Sequence, residues 1–142
     1  KIATQTNLLA VNASIEAAAY IKFDLNSVAG TTITDAKLKL NFWTTGTAVT
    51  KVYSCATDSW GETTIKWSNK PAWGTEQASF TSPNNNWVEV NVTSYIAANF
   101  NGDKLVTMVI RQDTNLNVNL QAYSDETGAS TGKRPMLIVT SS

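Results

Sequence analysis

Histidine is absent from this 142-residue chain, and cysteine occurs once, at Cys55. Without histidine the chain lacks the usual general base at neutral pH, the Ser-His and Cys-His nucleophile pairs, and most zinc sites. A single cysteine forms no internal disulfide. Its flanks, Lys51-Val-Tyr-Ser-Cys-Ala56, alternate like a strand and predict a buried structural thiol. Charge is sparse and balanced, at 15% of residues, with 11 Lys+Arg against 11 Asp+Glu. No basic excess points to nucleic acid, and no charge run marks a tail. No apolar run approaches the roughly 20 residues of a membrane span, and no signal-peptide pattern is seen.

What the chain has instead is Thr, Ser and Asn, the common surface of secreted β-proteins. Its length suits one domain, residues 1–142, with a core that needs no cross-link. Asn12-Ala-Ser and Asn91-Val-Thr have the form of glycosylation sequons, too common a pattern to carry an inference.

Residues 19–25, Ala-Tyr-Ile-Lys-Phe-Asp-Leu, alternate with the period of a half-buried strand. Ile21, Phe23 and Leu25 would face a core; Tyr20, Lys22 and Asp24 would face outward. The same alternation recurs over 35–43, with Leu38, Leu40 and Phe42 against Lys37, Lys39, Asn41 and Trp43. Further strands are expected at Leu8–Val11 and over 49–56, 87–92, 105–111, 118–123 and 136–140. Thr93 has the form of an N-cap for one short helix over 94–100, closed by Asn101-Gly102. Residues 58–75 carry Trp60, Trp67 and Trp73 among Gly, Asn and Pro, which predicts a long loop pinned by its own aromatics. Eight or so short strands with almost no helix predict an all-β, antiparallel β-sandwich of jelly-roll type.

Several of these pieces together resemble a known family. Tyr20-Ile-Lys-Phe-Asp-Leu25, Ile33-Thr-Asp-Ala-Lys-Leu-Lys-Leu40 and Val90-Asn-Val-Thr93 belong to the match. So do Trp60-Gly-Glu-Thr-Thr-Ile-Lys-Trp-Ser-Asn-Lys-Pro71, Ser124-Asp-Glu126 and Arg134-Pro-Met-Leu-Ile-Val139. They are similar to the DNRLRE-type modules, which overlap with family-96 carbohydrate-binding modules of secreted bacterial polysaccharide-degrading enzymes. Phe100 stands where that family usually has tryptophan. The resemblance implies a non-catalytic module that binds a polysaccharide, with acidic chains such as alginate prominent. It implies a covalently linked lyase or hydrolase as partner, and a monomer when isolated. Ligand contacts have to be argued from the strands.

A uronic-acid polymer offers a carboxylate on each sugar and hydroxyls around it. Cations, amides and an aromatic ring or two are the matching groups, and Arg can be bidentate. The outward positions supply Tyr20, Lys22, Lys39, Asn41 and Trp43, then Arg111, Asn119, Gln121 and Tyr123. These nine form the candidate ligand-binding set. The competing reading is the solvated side of a sandwich, where Lys also blocks edge pairing. Trp60 and Trp67 read as packing residues, while Trp73 and Trp87 fit either role. Asp24, Asp125 and Glu126 could join a calcium site, but their spacing does not require one, so no cofactor is assigned.

Two other function classes remain open. One is a structural or adhesin spacer without glycan binding. The other is a small jelly-roll lyase, with Tyr20 or Tyr123 as acid/base beside Lys22 and Arg111.

Overall fold

The computed structural model describes residues 3–10, 17–43, 46–112, 122–123 and 132–142. Its strands are β1 (Ala3–Ala10), β2 (Ala17–Asp24), β3 (Ile33–Asn41), β4 (Val49–Cys55), β5 (Trp73–Thr81), β6 (Trp87–Asn91), β7 (Leu105–Gln112) and β8 (Met136–Ser141). One helix, α1 (Thr93–Phe100), links β6 to β7. The strands form a five-stranded sheet, β1-β2-β7-β4-β5, and a three-stranded sheet, β6-β3-β8. Every pairing is antiparallel. Among the described strands, the β1–β2 and β4–β5 connections stay within a sheet and the others join the two sheets. This is the expected all-β sandwich.

Alternation places the core as the sequence predicts. Ile21 and Phe23 of β2, Leu38 and Leu40 of β3, and Val52 of β4 are fully buried. They meet Met108 and Ile110 of β7, Val90 of β6 and Leu137 of β8 in one cluster between the sheets. Ladder register aligns them, with Ile21 opposite Met108 and Leu38 opposite both Val90 and Leu137. Each fully buried aliphatic or aromatic side chain contributes about 1.5–3 kcal/mol. Helix α1 adds Tyr95, Ile96 and Phe100 to this core.

Two local expectations are corrected, and a third lies mostly outside the described residues. The helix begins at Thr93, with Val92 at the cap position and no side-chain cap bond. The Thr93 hydroxyl instead accepts the Ala36 N–H at 2.9 Å and donates to Asn91 Oδ1 at 2.8 Å, tying the helix start to β3. Residues 73–81 form a strand where the sequence reading expects none. Of the strand expected over 118–123, only Ala122 and Tyr123 lie among the described residues, and Ala122 bridges to Phe42.

The middle strands of the five-stranded sheet, β2, β7 and β4, are covered on both faces. Beneath the loop joining β4 to β5 lies a second cluster of Ala18, Tyr20, Cys55, Trp60, Ile65 and Val109. Strand β7 therefore buries residues 106–110 in succession, as a strand covered on two sides must.

Candidate functional site

The outer side of β2 is where the structure departs most from the sequence reading. Tyr20 has no accessible surface. Its ring meets Trp60 edge-on at 5.9 Å, and its hydroxyl donates to the Pro71 carbonyl at 2.5 Å. Burial pushes that hydroxyl up to about 12, the Cys55 thiol adds to the rise, and the Arg111 guanidinium opposes it. Lys22 donates to the carbonyls of Asp58 at 2.6 Å and Trp60 at 2.8 Å, with its ammonium 4.6 Å from the Trp60 ring. Trp60 Nε1 donates to Thr107 Oγ1 at 3.0 Å, and that hydroxyl donates to Asp58 Oδ1 at 2.7 Å. The expected open face at Tyr20 and Lys22 is thus a seam that fastens the loop to the sheet.

Asp24 acts as a strand-end cap. Its Oδ1 accepts the Asn26 main-chain N–H at 2.8 Å and side-chain amide at 2.7 Å, which holds its carboxyl below the usual range. Cys55 is buried as expected, and burial raises its thiol pKa.

The remaining candidates fall in two places. On the outer side of the three-stranded sheet, Lys39 lies 5.2 Å from the Trp87 ring, with Glu89 opposite it in the ladder. Asn41 is buried: its side-chain oxygen accepts Trp87 Nε1 at 2.9 Å and its amide donates to the Phe42 carbonyl at 3.3 Å. At the adjoining rim Trp43 is 47% exposed, its ring 6.4 Å from Tyr123, and Lys133 lies 5.0 Å from the Tyr123 ring. Among the described residues, Trp43 is thus the expected stacking residue that keeps an open ring. Asn119 and Gln121 lie outside the described residues.

Arg111 is on the other sheet, paired in register with Lys51. Its guanidinium lies 4.1 Å from the Trp73 ring. Lys70 of the loop sits 3.8 Å from Trp67 and 5.4 Å from Trp73, and the two indoles are 6.4 Å apart. The candidate set drawn from the sequence omits Lys70, Trp67 and Trp73. A sequence signal for them exists in the spacing Trp67-x-x-Lys70-x-x-Trp73, with a cation midway between two indoles.

Residues 2–141 match the family model of carbohydrate-binding module family 96. The chain belongs to this family. A relative named gellan lyase, from a Bacillus species, is 31% identical over 123 residues, which is 80% of this chain and 5% of the relative. The chain therefore spans a small fraction of that relative's length.

Within this family-96 module the cations share a habit. Among the described residues, Lys22, Lys39, Lys70, Lys104, Arg111 and Lys133 all lie 3.8–5.2 Å from an aromatic ring. Lys37 and Lys51 pair instead with carboxylates, Asp35 at 2.7 Å and Glu76 at 3.4 Å. A ring holds an ammonium without neutralising it, at a gain of about 0.5–1 kcal/mol where exposed. At Lys39, Lys70 and Lys133 this leaves a charge that can meet an anion from outside. The module also has a cleft of about 380 Å³ in its loop, between Thr57, Ser59, Trp60, Thr64 and Asn69, with no charged side chain lining it.

Proposed function

We propose that this module binds an acidic polysaccharide, a uronic-acid polymer with alginate as first choice, and does not cut it. In this reading it acts outside a bacterial cell and holds a covalently linked lyase or hydrolase on the polymer. The observation that carries the reading is the set of cations resting on aromatic rings at accessible positions, Lys39, Lys70 and Lys133 among them. The open ring of Trp43 beside Tyr123 suits the C–H face of a sugar. Of the expected contacts, Lys39, Trp43, Tyr123 and Arg111 are the described ones to assign to ligand, and Asn119 and Gln121 stay with them as candidates outside the described residues. Tyr20 and Lys22 support the framework, and Tyr20 is sealed away from the acid/base role that a lyase would need.

The gellan lyase relative supports a partner enzyme that degrades polysaccharide, and it names gellan as a second polymer to test. Affinity from one module should be modest, and tethering would raise it by effective concentration. Calorimetry with alginate oligomers at low and high salt tests the reading. Binding that weakens steeply with salt is expected, with little or none to neutral glucans. A spacer without glycan binding would give no heat with alginate or gellan at any salt.

A further inference from the structure

We propose that the cleft in the loop between β4 and β5 is a second sugar site, which takes a single uncharged pyranose unit. This goes beyond the acidic-polysaccharide reading, because no side chain lining the cleft carries a charge to answer a carboxylate. The volume of about 380 Å³ lies at the small end of the range for ligand pockets, about 300–1,000 Å³. That is room for a sugar unit rather than a length of polymer. Trp60 and Ile65, both buried, give the cleft an apolar wall together with Pro71. Thr57, Ser59, Thr64 and Asn69 bring hydroxyls and an amide to the same space, and the last three are exposed. A pyranose divides in the same way, into C–H faces and a rim of hydroxyls.

The polar groups keep hydrogen-bonding capacity of both kinds. The Thr57 and Ser59 hydroxyls share one hydrogen bond at 2.9 Å, so one of their two protons is left to donate. Asn69 uses one amide hydrogen on the Thr64 carbonyl at 2.9 Å, and its Oδ1 accepts the Lys66 N–H. Its other amide hydrogen remains. The Thr64 hydroxyl donates to the Gly61 carbonyl at 3.2 Å, which leaves its lone pairs to accept. Sugar hydroxyls donate and accept, whereas a carboxylate only accepts and would be left without a cation here. The cleft is also held in shape from below. Lys22 fixes the carbonyls of Asp58 and Trp60, Tyr20 fixes that of Pro71, and the Gly61 carbonyl accepts the N–H groups of Thr64 and Ile65. A site already ordered loses little freedom when a ligand enters.

The test uses the methyl glycosides of glucose, galactose and mannose, each beside the methyl glycoside of its uronic acid. High salt screens the lysines outside the cleft. In the nitrogen-15-labelled protein, at least one neutral glycoside should move the main-chain N–H signals of Ser59, Gly61 and Thr64 and the Trp60 indole signal, saturating at millimolar concentration. Its uronic counterpart should bind at least fivefold more weakly. Ser59→Ala should weaken the neutral glycoside about fivefold, the worth of one hydrogen bond. Ser59→Leu, which fills the cleft from an exposed position, should abolish binding, with the urea midpoint checking that the fold is kept. Thr63→Ala, exposed on the same loop but outside the cleft, should bind as wild type does. The site is overturned if no neutral glycoside moves these signals, if the uronic forms bind as tightly, or if both Ser59 variants bind like wild type. None of these results bears on the salt-sensitive binding of an acidic polymer, which stands or falls by its own calorimetry.

Discussion

The Lys22 ammonium donates to the carbonyls of Asp58 and Trp60, 36 and 38 residues further along the chain. One mid-strand lysine thereby closes a loop over the outer side of the sheet's middle strands. Lys22→Met should remove two charge-assisted hydrogen bonds and leave both carbonyls short of a donor, a loss of about 3 kcal/mol. Urea denaturation measures this. Alginate affinity of the folded variant should match wild type; a stable variant that has lost binding would return Lys22 to the ligand site.

Tyr20 gives the module an alkaline limit. Its hydroxyl is pushed up to about 12, against an ordinary value of 10.0, because it is buried. Between those values the unfolded chain has released the proton and the folded chain has kept it. Stability is therefore full below about pH 10 and falls as pH rises toward 12. The urea midpoint should drop across that window, and Tyr20→Phe should make the drop shallower while costing about 1 kcal/mol at pH 7.

The strands that alternate strictly were legible because one face of each meets the sandwich core: Ile21 and Phe23, then Leu38 and Leu40. Strand β5 was not. Its sequence, Trp73-Gly-Thr-Glu-Gln-Ala-Ser-Phe-Thr81, lacks apolar alternation, and it lies at the sheet edge paired only to β4. Nor was the covering of Tyr20 and Lys22 legible, since both bond to main-chain carbonyls, which every residue carries. A partial signal lay in β7, whose Val106-Thr-Met-Val-Ile110 run is too continuously apolar for a strand with a wet face. In the candidate site, Trp43 could be named from alternation and Arg111 as the charged residue near the end of its strand. Lys70 has no strand period to mark it, and the signal for it is its spacing between Trp67 and Trp73.

Cys55 should behave as a reporter of loop opening. Its thiol is buried, raised in pKa chiefly by that burial, and within reach of the Thr57 carbonyl at 3.4 Å. A disulfide reagent at pH 8 should label it slowly in the native protein. Lys22→Met should speed labelling at least tenfold, and equal rates would show that Lys22 does not hold the loop down.

Tyr95 joins the helix to both neighbours in the sheet. Its hydroxyl donates to the Thr107 carbonyl at 2.7 Å and accepts the Cys55 N–H at 3.1 Å. Tyr95→Phe leaves that buried N–H unpaired and should cost about 2 kcal/mol. Calorimetric unfolding checks it, with binding unchanged in the folded protein.

Gly30 has φ +90°, and a Cβ there would stand 2.7 Å from the Ser142 carbonyl oxygen. That oxygen accepts the N–H groups of Thr31 and Thr32 at 2.9 and 3.1 Å. Gly30→Ala should destabilise by about 2 kcal/mol, read by urea denaturation.

The loop between β4 and β5 is a third layer of the domain, and this limits how its specificity can be altered. Trp60 and Ile65 are buried, and Pro71 holds the Tyr20 hydroxyl, so changes there unseat the layer. Thr63, Lys66 and Ser68 point to solvent from the same segment. A library confined to those three positions would vary the rim beside Lys70 while leaving the scaffold intact, so new sugar preferences could be selected without selecting first for survival of the fold.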